Sequence, residues 1–159
     1  MPGSAAASSQ PAPVPSIGEL LLSTVPMART LGIEFGAVTP EHAVARLPDQ
    51  PALHNHVAGP HAGALFTLGE SASGAVVLAA FGDLLSRAVP LAVRAGIVYH
   101  KLARGAVTAT AVLDRPAAEV TAELDAGQRP EFTVAVTIES ADGTVTTEMT
   151  VTWTLRPNR

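Results

Sequence analysis

The chain has 159 residues, the length of one domain with a real core and too short for two comfortable ones. Hydrophobic residues make up 47% and charged residues 15%, which excludes a disordered chain; a net charge of -4 with scattered Lys and Arg offers no basic face to a nucleic-acid backbone. With no cysteine, disulfides, thiolate nucleophiles and cysteine-ligated zinc are excluded, which is compatible with a reducing cytoplasm.

Met1 to Ser16 consists largely of Ala, Ser and Pro, with no basic start and no apolar run, so it reads as a disordered tail (1–16) and not as a secretory signal; the domain is expected over 17–159. Ile17 to Arg29 reads as a short covering helix interrupted by Pro26. Gly32 to Val38 and Glu41 to Leu47 read as two strands joined through Thr39 and Pro40, and a loop rich in Pro and His runs from Pro48 to Pro60. Pro60 is then expected at the first position of a long helix ending near Phe81, since proline there forfeits no hydrogen bond. That stretch is apolar enough to raise the question of a membrane span, but Glu70 lies near its middle, and it lacks basic flanks and an aromatic belt.

Alternation dominates the second half. Leu91, Val93, Ala95, Ile97 and Tyr99 share one face of a strand, as do Val107 to Leu113 and Phe132 to Ile138 at every second residue. In the last strand Val145, Thr147, Met149, Val151, Trp153 and Leu155 face one way and Thr146, Glu148, Thr150, Thr152 and Thr154 the other. Asp142-Gly143 marks the hairpin between the last two, and a short helix is expected at Ala117 to Leu124. The order is two strands, a long helix and four strands, an α+β arrangement with an antiparallel sheet.

On the long helix, at about 100° per residue, Thr67, Glu70 and Gly74 fall in one narrow stripe, and Leu65, Leu68, Ala72, Val76 and Ala79 fall opposite. A carboxylate on a buried helix is costly unless paired or protonated, so Glu70 is either catalytic or a structural ion partner of Arg94 or His61. Ahead of the helix, His54 to Gly63 places polar side chains beside the free N–H groups of a helix start, where positive potential can hold an oxyanion. Three histidines there also invite a metal reading, but no Cys or carboxylate stands at ligand spacing, and a solvated loop is the simpler account. Ser71 and Ser73 lack the surroundings of a serine nucleophile, and His42 and His100 sit on strands as structural residues.

Asn55, His61 six residues on, Ala62-Gly63, and Glu70 nine beyond the His resemble the pattern of the hotdog-fold acyl-CoA thioesterases. The likeness is to the phenylacetyl-CoA and 4-hydroxybenzoyl-CoA thioesterase-like proteins, and the wording from His61 to Glu70 is closest to a poorly characterised thioesterase-like branch. The resemblance covers Gly32 to Leu155 and implies a hotdog fold, an antiparallel sheet wrapped around a long central helix. It implies Glu70 as general base or nucleophile, the Ala62 N–H as oxyanion donor, Asn55 as orienting group and His61 as loop support, with His56, Gly63, Thr67 and Gly74 toward substrate. It further implies no cofactor, an acyl-CoA or acyl-carrier-protein substrate, and a cytoplasmic homodimer, with a dimer of dimers open. Three departures stand: Ala62 replaces the usual glycine, Gly59 comes one place late after Ala58, and Glu70 replaces the commoner Asp. Decarboxylation of a malonyl thioester and non-catalytic binding of an acyl thioester remain as alternatives.

Overall fold

The computed structural model describes residues 14–158. Of the tail expected over Met1 to Ser16, residues 1–13 lie outside the described residues, while Ser16 caps the first helix, α1 (Ile17–Thr24). Ser16 Oγ accepts the Glu19 N–H at 3.2 Å and the Glu19 carboxylate accepts the Ser16 N–H at 2.7 Å, a reciprocal box that satisfies two orphan donors. Pro26 cannot continue α1, and it opens α2 (Pro26–Thr30), where its missing N–H has no consequence.

Six strands form one antiparallel sheet: β1 (Glu34–Val38), β2 (His42–Leu47), β3 (Ala88–Tyr99), β4 (Val107–Leu113), β5 (Glu131–Ser140) and β6 (Val145–Pro157). Their order across the sheet is β1-β2-β4-β5-β6-β3. The long helix α3 (Ala62–Phe81) lies against β4, β2 and β5, and α4 (Ala117–Asp125) bridges β4 to β5. This is the hotdog fold, a sheet wrapped around one helix. Ala43, Ala45, Ala109 and Ala111 are fully buried, and their small side chains let α3 settle onto β2 and β4. Leu65, Leu68, Ala72 and Val76 meet Val134, Val136, Ile138 and Val151 in the core, each large side chain contributing about 1.5–3 kcal/mol by leaving water. By length and composition α3 and the turn after it would suffice to cross a membrane, but most of that apolar stretch is enclosed by the sheet.

The structure departs from the sequence reading at three places. Pro60 does not begin α3: the helix starts at Ala62 with His61 as its cap, and Pro60 pairs with His54 in an isolated bridge. Strand β3 does not keep one face throughout: it is an edge strand bonded only to β6, and its register shifts between Ala92 and Arg94, so that Pro90 and Ala92 pair with Leu155 and Trp153 before the shift and Ala95 and Ile97 with Val151 and Met149 after it. Val93 and Tyr99, expected on the covered face, are exposed. On β6, the face expected to be open is covered at both ends. Thr146 donates to the Ile138 carbonyl at 3.2 Å, and Thr154 donates to Pro130 at 2.8 Å while accepting from Arg129 Nε at 3.2 Å.

Candidate active site

Asn55 builds the loop that precedes α3. Its Oδ1 accepts the N–H groups of Val57 (3.0 Å) and Gly59 (3.1 Å), and its Nδ2 donates to the Pro60 carbonyl at 3.3 Å. The backbone closes the same turn, with Asn55 N–H donating to Gly59 at 2.8 Å and His61 N–H to Leu53 at 2.8 Å. One amide N–H of Asn55 has no protein partner among the described residues. The displaced glycine has a steric cause. A Cβ at Gly59 would lie 2.4 Å from the Ala103 carbonyl oxygen, so only glycine fits there, and the left-handed φ of 58° falls on Ala58 instead.

His61 caps α3 by accepting the Gly63 N–H on Nδ1 at 2.9 Å, which in the neutral ring leaves the proton on Nε2. The next N–H, that of Ala62, has no acceptor among the described residues, and Ala62 is exposed. This is an open donor at the positive end of a 20-residue helix. The chain's one tyrosine, Tyr99, donates its hydroxyl to the Ala62 carbonyl at 3.0 Å and ties the end of β3 to the helix start. Partial burial raises the pKa of that phenol, which keeps it a donor. A groove lined by Met27, Leu31, His54, His61, Gly63 and Thr67 runs beside this end of the helix, and Thr67 turns its hydroxyl back to the Gly63 carbonyl at 2.9 Å.

Glu70 sits two turns further on and half-buried. Its carboxylate makes neither an ion pair nor a hydrogen bond among the described residues, so the structural partnership with Arg94 or His61 is not formed: Arg94 is exposed on β3, and His61 is occupied as the cap. Burial alone raises its pKa above the ordinary 4.5. The side chain borders a cavity of about 280 Å³ lined also by Gly74, Phe35 and Trp153, and this cavity shares no lining residue with the groove at the helix start. Thr67 and Glu70, neighbours on one stripe, therefore serve two openings. His56 is exposed at the loop tip and lines neither.

The remaining histidines are engaged. His54 Nε2 lies 2.7 Å from Asp49, His100 Nε2 lies 2.7 Å from Glu148, and His42 pairs with the Thr39 hydroxyl at 3.1 Å. Among the described residues no three His, Asp or Glu side chains gather as a metal set. The chemistry on offer is an unpaired carboxylate with a raised pKa and an unpaired N–H at a helix start. The sequence pointed to both of these, and Tyr99 was missed because its contact joins residues 37 apart.

The family model for a domain of unknown function, DUF4442, matches residues 17–155. None of the curated proteins matches the chain. Among solved structures it is similar to PA5026 from Pseudomonas aeruginosa, a protein of unknown function, at 23% identity and a TM-score of 0.81, over 92% of this chain and 98% of that one. A thioesterase family protein from Silicibacter pomeroyi is 21% identical with a TM-score of 0.71, over 90% and 98% of the two chains. A variant of the thioesterase PA1618 from Pseudomonas aeruginosa is 20% identical with a TM-score of 0.69, over 89% and 94%. At these identities the likeness establishes the fold.

Proposed function

The chain belongs to the DUF4442 family, and from that footing we propose that it is a thioester hydrolase acting on an acyl-CoA or acyl-carrier-protein substrate. The observation that carries this reading is Glu70, a half-buried carboxylate without a partner, on the wall of an apolar cavity in a fold shared with thioesterases. With its pKa raised by burial, Glu70 is a stronger base than a solvated carboxylate. It takes a proton from water as the oxygen attacks the thioester carbonyl, or attacks that carbon itself and leaves an anhydride for water to open. In either route the carbonyl oxygen becomes an oxyanion held by an Ala62 N–H. Collapse expels the thiolate, which is protonated, and the products are a carboxylic acid and a thiol. Asn55 acts through the loop it builds and offers its spare amide N–H, and Tyr99 fixes the Ala62 peptide by holding its carbonyl.

The site is proposed to be completed in a cytoplasmic homodimer, because one chain leaves a long strand edge unpaired and holds the Glu70 cavity apart from the groove at the start of α3. Thiol release from a panel of acyl-CoA substrates tests the reading. Glu70→Gln, nearly isosteric but neither basic nor nucleophilic, should fold normally and lose at least about 10²-fold in turnover. A folded variant that kept more than about a tenth of wild-type turnover would remove Glu70 from the chemistry. Carbon dioxide released from a malonyl thioester without thiol would replace hydrolysis by decarboxylation.

A further inference from the structure

Resting on the hydrolase reading of the Glu70 site, we infer that the acyl group is an apolar chain of medium length, bound under the α1–α2 pair, and that Gly74 and Trp153 limit its length. The cavity beside Glu70 holds about 280 Å³. A space of that size suits a chain of medium length better than a long fatty acyl chain. Its walls are apolar: Leu21 and Val25 come from the covering helices, Phe35 from β1, Leu78 from α3, Pro90 from β3 and Trp153 from β6. Glu70 is the only charged residue in the lining among the described residues, so a chain entering here leaves its thioester at the carboxylate. Ser71, next to Glu70, is also in the lining.

Gly74 lies one turn beyond Glu70 on the same stripe. A Cβ there would stand 3.8 Å from the Trp153 ring, an ordinary contact, so alanine fits, and a longer side chain at this lining position would take up cavity space. The ring itself is fixed, because Trp153 Nε1 donates to Ser73 Oγ at 3.2 Å in the core. Trp153 is the single tryptophan of the chain, so its emission reports the occupancy of this cavity whether or not turnover occurs.

Two measurements on the full chain test the assignment. The first is thiol release across a ladder from acetyl-CoA to hexadecanoyl-CoA for wild type and Gly74→Leu, and the second is Trp153 emission during titration with octanoate. In the wild type, kcat/KM should peak near octanoyl-CoA and fall at least about tenfold at hexadecanoyl-CoA. In Gly74→Leu the octanoyl-to-butanoyl ratio should drop at least about tenfold, and the octanoate-induced emission change should vanish. If Gly74→Leu does not fold, Gly74→Ala carries the same test with a smaller displacement toward short chains. Thiol release with an unaltered ladder and unmoved emission overturns the inference and leaves hydrolysis standing; that result would also follow if a partner chain filled the cavity. An emission change lost in Gly74→Leu, with no thiol released from any substrate, sinks hydrolysis and keeps the cavity as an acyl site.

Discussion

The sharpest consequence of the geometry is that two inactive variants should restore each other. Ala62 and Glu70 are eight residues apart on α3, which at 1.5 Å per residue separates them by about 12 Å along the axis, and the cavity beside Glu70 shares no lining residue with the groove at the helix start. A base and an oxyanion donor must each come within roughly 3–4 Å of one thioester carbonyl, so one copy of α3 cannot supply both. In the proposed homodimer a second chain about a twofold axis would supply what is missing by setting its Asn55 to Gly63 loop beside the first chain's Glu70. Glu70→Ala removes the base. Asn55→Ala removes three hydrogen bonds of the loop, about 1 kcal/mol each, enough to disorder the donor while leaving the core packed. A mixed dimer has one site with both lesions and one site with neither. Random exchange makes half the dimers mixed, so mixing should recover about one quarter of wild-type thiol release from two chains that are each inactive. If mass spectrometry shows exchange, circular dichroism shows both variants folded, and no activity returns, the shared site is wrong.

Two further expectations follow from the same residues. Because burial raises the Glu70 pKa in the folded state, the stabilisation linked to its protonated form is complete below about pH 4.5 and is lost as pH rises through the folded value; thermal melts of wild type and Glu70→Gln should therefore diverge from acid to neutral pH in favour of Gln, and a gap independent of pH would contradict an unpaired buried carboxylate. The outer edge of β3 should be the pairing surface of the dimer, so Val98→Lys on this exposed strand should halve the mass seen by light scattering at micromolar concentration and abolish thiol release, whereas an unchanged mass would move the interface elsewhere.

The buried strands were legible in the sequence because each has a real inside: in β4, β5 and most of β6 every second residue meets α3, and the two-residue period survives as apolar alternation. β3 carries a similar period, but alternation does not tell an edge from a centre, and the irregularity near Val93 leaves no signature in residue type. The helix start was read two residues early because proline is common at a first helical position, while a histidine cap depends on a ring nitrogen finding the Gly63 N–H. The order Ala58-Gly59 looked like a misplaced glycine. Its logic lies in the Ala103 carbonyl, some forty residues away, which no local pattern contains. Glu70 stood out because one charge in a long apolar helix is visible at any range. Its lack of a partner was not visible, since that depends on where Arg94 and His61 point.

That lack of a partner also argues against a structural role for the acid. Other carboxylates of the chain do find cations: Glu34 meets Arg46 at 2.9 Å, Asp125 meets Arg87 at 2.7 Å, and Glu119 and Glu123 both meet Arg115. These pairs are exposed or partly so, where an ion pair adds about 0–1 kcal/mol. The carboxylate that burial shifts upward, where a partner would matter most, has none. A side chain kept for stability would be arranged the other way round, with its counterion inside or a leucine in its place. The arrangement costs folding free energy and leaves an unpaired carboxylate facing an apolar cavity, the trade that the proposed active site would make.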